Sequence, residues 1–292
     1  MWQCAHPLPK LQGYFLNLFD ATIMGIVEGA TEFLPISSTG HLIVAGSLLG
    51  VHDERGKVFE IAIQIGAIFA VVWAYRERFF SALANVTHRG DGQRFFINLF
   101  IAFLPIAVLG LLFSKTIKAV LFNAYGVAAA SIIGALIILW VERDSTRELR
   151  ESRARVRDVD SMSALDALKL GFVQCFGLFP GMSRSGSTLI GGMLFGLSRR
   201  TATEFSFFLG VPTLATASVY SLYKERALLS AADIPAFAVG TVVSFIVALV
   251  VIKWLIGFVA NHSLQVFAWY RIAFGVAILA AGHFGWVNWP GA

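Results

Sequence analysis

The chain has 292 residues, of which 57% are hydrophobic and only 14% charged, against roughly 25% charged in a soluble domain. Together with a mean hydropathy of +0.72, this excludes an ordinary soluble fold and points to an all-α polytopic membrane protein. The formal charge of +5, from 23 Lys and Arg against 18 Asp and Glu, is no sign of nucleic-acid binding, because the basic residues lie mainly between apolar runs, where they set orientation.

In chain order, Lys10 opens an apolar run that Asp20 interrupts, and no small-residue cleavage site follows, so a cleaved signal peptide is not expected. Residues 14–50 form two half-length apolar segments split by the polar stretch EGATEFLPISSTGH, residues 28–41. A broken segment is tolerated at membrane depth only where it is buried in protein or lines a cavity. It therefore predicts a re-entrant helical hairpin with its polar tip near the midplane. Uncharged runs follow at 61–75, 95–114 and 119–141. The first is short against the ~20 residues a span needs and is expected to extend by a turn at each end. The polar loop 142–169 reads as a solvated charged linker. Residues 165–197 repeat the broken pattern around Gln174 to Thr188, predicting a second re-entrant hairpin. Runs at 205–223, 234–252 and 272–292 complete six transmembrane helices in a single integral membrane domain, 1–292, with Trp286 and Trp289 as interfacial anchors at its end. Cys4 and Cys175 form neither a disulfide framework nor a metal cluster.

The loop after the first span carries Arg76, Arg78, Arg89 and Arg94, and the central loop carries Arg143, Arg147, Arg150, Arg153, Arg155, Arg157 and Lys169. The turn between them holds only Lys115 and Lys118. The positive-inside rule puts the two Arg-rich loops in the cytoplasm. The first hairpin then enters from outside and the second from the cytoplasm.

An offset of 146 residues aligns 25–46 with 171–192 without a gap. Identical pairs include Gly25/Gly171, Phe33/Phe179, Ser37/Ser183 and Gly40/Gly186, and Glu28 faces Gln174. Three spans per half make this an inverted repeat, approximately 1–146 and 147–292. Broken hairpins at matching positions of inverted repeats point to a site at the repeat interface.

Ionisable groups are costly at that depth and mark function. Glu28 and Glu32, at i and i+4, share one helix face. Two close carboxylates favour a shared proton or a divalent cation held through hard oxygens. Ser37, Ser38 or Thr39 would supply a nucleophile, with Glu32 or His41 as its base. Arg184 presents a planar fork suited to bidentate phosphate binding. Ser183, Ser185 and Thr188 add hydroxyls, and the turn at Pro180, Gly181 and Gly186 turns backbone N–H groups toward an anion. His6, His52, His88, His262 and His283 lack such company. Gly191, Gly192 and Gly196 read as helix-packing positions.

EGATEFLPISSTGH and PGMSRSGST, residues 180–188, resemble the two defining motifs of the undecaprenyl-diphosphatase family, the BacA-type enzymes linked to bacitracin resistance. EFSFFLGVP, residues 204–212, looks like a third shared block, and the resemblance runs over essentially the whole chain. It implies a hydrolase of the bacterial inner membrane, its active site facing the periplasm. Such an enzyme removes the terminal phosphate of undecaprenyl diphosphate and recycles the lipid carrier for peptidoglycan synthesis. By motif position it implies Ser38 as nucleophile, Glu32 as base or orienting acid, Glu28 as metal or electrostatic partner, and Arg184 on the diphosphate. Ser37, Thr39, His41, Ser183, Ser185, Gly186 and Thr188 would complete the pocket. It also implies dependence on Mg²⁺ or Ca²⁺, with Glu28 and Glu32 as the metal ligands, and leaves room for a homodimer.

The rival from another class is a transporter or flippase of undecaprenyl phosphate, since inverted repeats with broken helices suit alternating access. Pure transport does not need the set of nucleophile, acid and arginine. The other large membrane phosphatase class is rejected, because Ser198-Arg199 has no His at the required spacing.

Overall fold

The computed structural model describes residues 17–51, 54–88, 90–143 and 151–287. Cys4, His6, Lys10, His52, Arg89, Arg147, Arg150 and Trp289 lie outside the described residues. Every regular element among the described residues is helical, apart from one isolated parallel bridge between Val156 and Leu197.

Among the described residues, six helices are long and apolar enough to cross a membrane. They are α3 (Glu54–Ala74), α5 (Asp91–Leu121), α6 (Ala124–Val141), α9 (Arg199–Lys224), α10 (Ile234–Asn261) and α11 (Gln265–His283). Helix α4 (Arg76–Ala84) lies in the loop after α3. The number of spans is the one expected, but some boundaries move. The break expected between 114 and 119 falls at Phe122 and Asn123, where the Asn123 side chain accepts a hydrogen bond from Gly126 N at 2.9 Å. Lys115 and Lys118 do not end a helix, because charge limits an apolar run without stopping backbone pairing. The last span starts at Gln265 rather than 272, which places Arg271 inside it.

Four short helices form two broken pairs, α1 (Leu18–Thr31) with α2 (Ser38–Leu49), and α7 (Ala164–Gln174) with α8 (Arg184–Leu194). With 11 to 14 residues each, they are about 16–21 Å long at 1.5 Å per residue, too short to cross a ~30 Å hydrocarbon layer. Their starts are set by side chains. Asn17 accepts from Asp20 N at 2.8 Å, and Ser163 forms a capping box with Asp166.

Helix α1 lies along α10 and α7 lies along α5, while α3 packs on α9 and α10, and α6 on α11. The contacts of α1 and α7 are backbone-close. A methyl group at Gly25 would sit 2.5 Å from Gly240 O, and one at Gly171 would sit 2.6 Å from Ala102 O. The first turn is anchored in the main core by buried Phe33, edge-on to Phe207 with ring centres 5.2 Å apart.

Part of the central loop departs from the expected solvated linker. Val156, Val159 and Met162 are buried, Asn98 Nδ2 donates to Met162 O at 3.0 Å, and the Arg78 fork clasps the Asp160 carboxylate. The apolar residues of this segment are spaced among its charges, so a composition-based reading sees the charges alone.

Candidate active site

The chain between Glu32 and Ser37 leaves α1, turns through Phe33, Leu34, Pro35 and Ile36, and restarts as α2 at Ser38. In the second pair the chain turns between Cys175 and Ser183 and restarts as α8 at Arg184. The two turns touch. Ser185 Oγ donates to Leu34 O at 3.0 Å, and Ser183 Oγ lies 3.5 Å from the same oxygen. A methyl at Gly186 would stand 3.1 Å from Pro35 Cβ. The starts of α2 and α8, each a positive dipole end, are thereby brought together.

Glu32 is the hub. Its Oε2 accepts from Ser38 Oγ at 2.6 Å, and its Oε1 accepts from Arg184 Nη2 at 3.2 Å. Arg184 Nη1 also donates to Ser206 O at 3.1 Å. Glu32 and Arg184 are both buried, and Arg184 Nε has no partner. Ser38 from the first half and Arg184 from the second therefore meet on one carboxylate. Glu28, one turn back on α1, is 0% exposed, and neither of its carboxylate oxygens has a hydrogen-bond partner. A buried charge without a partner is costly, so this carboxyl needs a proton or a cation.

The expected pocket residues divide into groups. Ser38, Glu32 and Arg184 are in direct contact, with Glu28 close behind them on α1. His41 is turned elsewhere. Its Nδ1 is 2.7 Å from Ser37 O, its Nε2 is 2.7 Å from Tyr270 Oη, and its ring stacks on Phe274 at 4.0 Å. A carbonyl only accepts, so Nδ1 carries the proton and Nε2 accepts from the tyrosine. Of the two bases considered for Ser38, Glu32 makes the contact. The hydroxyls of Ser183, Ser185 and Thr188 are spent on the protein itself. Ser183 Oγ accepts from Gly186 N at 3.1 Å, and Thr188 Oγ1 donates to Arg184 O at 2.7 Å. Ser37 is buried, while Thr39 lies partly buried in the first turn of α2.

Three neighbours of the site were not singled out from sequence. Ser206 lies in the block 204–212, where its carbonyl takes Arg184 and its hydroxyl donates to Ser185 O at 3.4 Å. Tyr270 holds His41. Arg271 is 1% exposed, and its Nη1 donates to Pro35 O at 3.1 Å while its Nη2 donates to Gly181 O and Met182 O at 3.0 Å each. The signal for Arg271 was a charge bordering an apolar run.

Residues 21–277 match the family described as bacitracin resistance protein BacA. The chain belongs to the BacA family. Among its relatives, the undecaprenyl-diphosphatase of Dechloromonas aromatica is 57% identical over 272 residues, which is 93% of this chain and 97% of that protein. The undecaprenyl-diphosphatase of Methylibium petroleiphilum is 58% identical over 280 residues, 94% of this chain and 98% of that one. The undecaprenyl-diphosphatase of Polaromonas naphthalenivorans is 56% identical over 272 residues. BacA-family membership agrees with the motif resemblance at both turns and in the block that carries Ser206.

Proposed function

We propose that this protein is an undecaprenyl-diphosphate phosphatase that releases inorganic phosphate and returns undecaprenyl phosphate to peptidoglycan synthesis. The observation that carries the reading is the contact chain Ser38–Glu32–Arg184, at 2.6 and 3.2 Å, in a BacA-family chain. It joins a nucleophile at the start of α2, its base at the end of α1 and a phosphate-binding fork at the start of α8, with Glu32 and Arg184 buried and Ser38 partly buried.

In this reading the diphosphate enters at the starts of α2 and α8, where backbone N–H groups and Arg184 neutralise its charge. Ser38 Oγ attacks the terminal phosphorus in line, and its proton passes to Glu32 Oε2. The bond to the bridging oxygen breaks and undecaprenyl phosphate leaves with that oxygen. Water, deprotonated by a carboxylate, then attacks the phosphoserine, releasing inorganic phosphate and restoring the Ser38 hydroxyl. The hydrogen bond from Ser38 to Glu32 favours this covalent route over direct attack by water.

Among the described residues no group of three or more His, Cys, Asp and Glu could hold a metal ion. The site thus lacks an all-protein cage, but the two unpartnered oxygens of Glu28 fit one hard-oxygen ligand position. Glu28, with Glu32 beside it, would hold Mg²⁺ or Ca²⁺ together with oxygens of the diphosphate. When bound, the ion would offset negative charge on the transferring phosphoryl group.

An inner-membrane location is what BacA-family resemblance implies, and a site facing the periplasm is supported by the Arg-rich loops under the positive-inside rule. An inverted repeat with re-entrant tips is supported by the matching starts of α2 and α8 at Ser38 and Arg184. It is supported also by the exchange of partners in which α1 lies on α10 and α7 on α5.

The test is inorganic phosphate release from a C55 or C15 prenyl diphosphate by purified protein in detergent, with and without EDTA, beside Ser38→Ala and Glu32→Ala. Release that both variants lose supports the reading. Well-folded wild type that binds the lipid and releases no phosphate, with divalent ion restored, would favour the transporter.

A further inference from the structure

Arg271 is a buried cation with no carboxylate among its hydrogen-bond partners. It lies on α11, deep in the protein, where an uncompensated charge costs several kcal/mol. Main-chain oxygens take the place of a counter-ion. Nε donates to Ser131 O at 3.0 Å and Nη1 to Pro35 O at 3.1 Å. Nη2 serves Ala130 O at 3.3 Å and Gly181 O and Met182 O at 3.0 Å. One side chain thus ties α6 to the turn before α2 and to the turn before α8.

The two turns are held just ahead of the residues that matter. Pro35 is three positions before Ser38, and Met182 is two before Arg184. Space for the fork is provided by Gly134 on α6, where a methyl would fall against the guanidinium, 2.7 Å from Cζ. All three guanidinium nitrogens are committed to backbone oxygens, so the residue is placed to hold the site rather than to bind phosphate.

We propose that Arg271 is a positioning residue for phosphoryl transfer, fixing the two turns against each other so that Ser38, Glu32 and Arg184 address one phosphorus. The role depends on the fork, since a point charge cannot span Ser131, Pro35 and Gly181 together. It rests on the reading that Ser38 and Arg184 carry the chemistry.

Phosphate-release kinetics on monodisperse Arg271→Lys and Gly134→Ala, normalised to folded protein, test it. A misplacement of about 1 Å costs on the order of 10²-fold in rate, so Arg271→Lys should lose kcat on that scale while KM stays within about threefold. Gly134→Ala, which keeps Arg271 but displaces it, should lose kcat in the same direction. A purely structural residue would lower Tm and leave kcat of the folded fraction intact, and that result overturns the proposal. So does a Lys variant with normal kcat, or a loss confined to KM. If Arg271→Lys does not fold, Gly134→Ala decides alone, and unchanged kcat there overturns the proposal. Ser38→Ala run alongside separates the two claims. Turnover retained by Ser38→Ala removes the covalent reading, whereas the Arg271 proposal is judged on kcat with Ser38 intact.

Discussion

Ser37 and Ser183 share one backbone conformation, with φ at 74° and 70°. Among the described residues they are the only non-glycine positions with positive φ, and they occupy equivalent places under the 146-residue offset. Each sits immediately before a helix start, Ser38 in one case and Arg184 in the other. Strain of this kind costs of order 1–3 kcal/mol and persists where the surroundings over-determine it. Here it brings Ser38 and Arg184 onto opposite oxygens of Glu32.

The strain at Ser37 can be relieved. Its side chain makes no capping bond, so Ser37→Gly should raise stability by about 1 kcal/mol, read as a higher Tm in detergent. Ser183→Gly should gain less, because Ser183 Oγ caps Gly186 N at 3.1 Å. A Tm that falls for Ser37→Gly would mean that the conformation is not strained.

Glu32→Gln keeps an acceptor for Ser38 but no longer takes its proton. The expected loss in kcat is about 10²–10⁴-fold. Arg184→Lys keeps the charge but cannot reach both Glu32 and Ser206 O as the fork does, and should lose about 10²–10³-fold. Phosphate release measures both. Near-normal turnover in the first would exclude Glu32 as the base, and in the second would exclude fork recognition.

The polar turns were legible because charges are rare in such apolar sequence, so Glu28, Glu32 and Arg184 stand out. Sequence left Glu32 and His41 as alternative partners of Ser38, and it is Glu32 that the fold puts in contact with it. Arg271 was missed for a physical reason. It lies at the edge of an uncharged run, where many basic residues point outward, and its partners are backbone oxygens, which leave no mark in sequence. The same holds for Ser206, whose side chain is not what Arg184 uses. Glu142 reads as a loop charge, yet it forms a buried pair with Arg199.

Glu28→Gln tests the cation. Its aligned residue Gln174 already donates to Ala102 O at 2.7 Å, so a carboxamide is tolerated at this depth in the fold. The variant should remain folded and need a higher Mg²⁺ or Ca²⁺ concentration for half-maximal activity. An activation curve identical to wild type would rule out Glu28 as a ligand of the proposed cation.

Tyr270 Oη is 2.7 Å from His41 Nε2. Loss of one such hydrogen bond is worth about 0.5–1.5 kcal/mol, so Tyr270→Phe should lower stability by about that amount, read as a lower Tm in detergent. If the tyrosine acts through His41, adding Tyr270→Phe to His41→Ala should cost nothing further. Additive losses in that double-mutant cycle would assign Tyr270 a role of its own.

Glu142 is fully buried and accepts from the Arg199 fork, from Ser263 Oγ at 2.8 Å and from Leu264 N at 3.0 Å. Arg199 in turn donates to Val259 O at 3.1 Å and His262 O at 2.9 Å. The pair therefore joins the end of α6, the start of α9, and the segment between α10 and α11. Glu142→Leu leaves a buried guanidinium without its counter-ion and should cost about 3–5 kcal/mol, seen as a large drop in Tm. Adding Arg199→Met removes the stranded charge and should recover part of the loss. Full recovery is not expected, since Leu264 N would still lack its acceptor. Should Glu142→Leu unfold at the wild-type temperature, the pair contributes nothing net to stability.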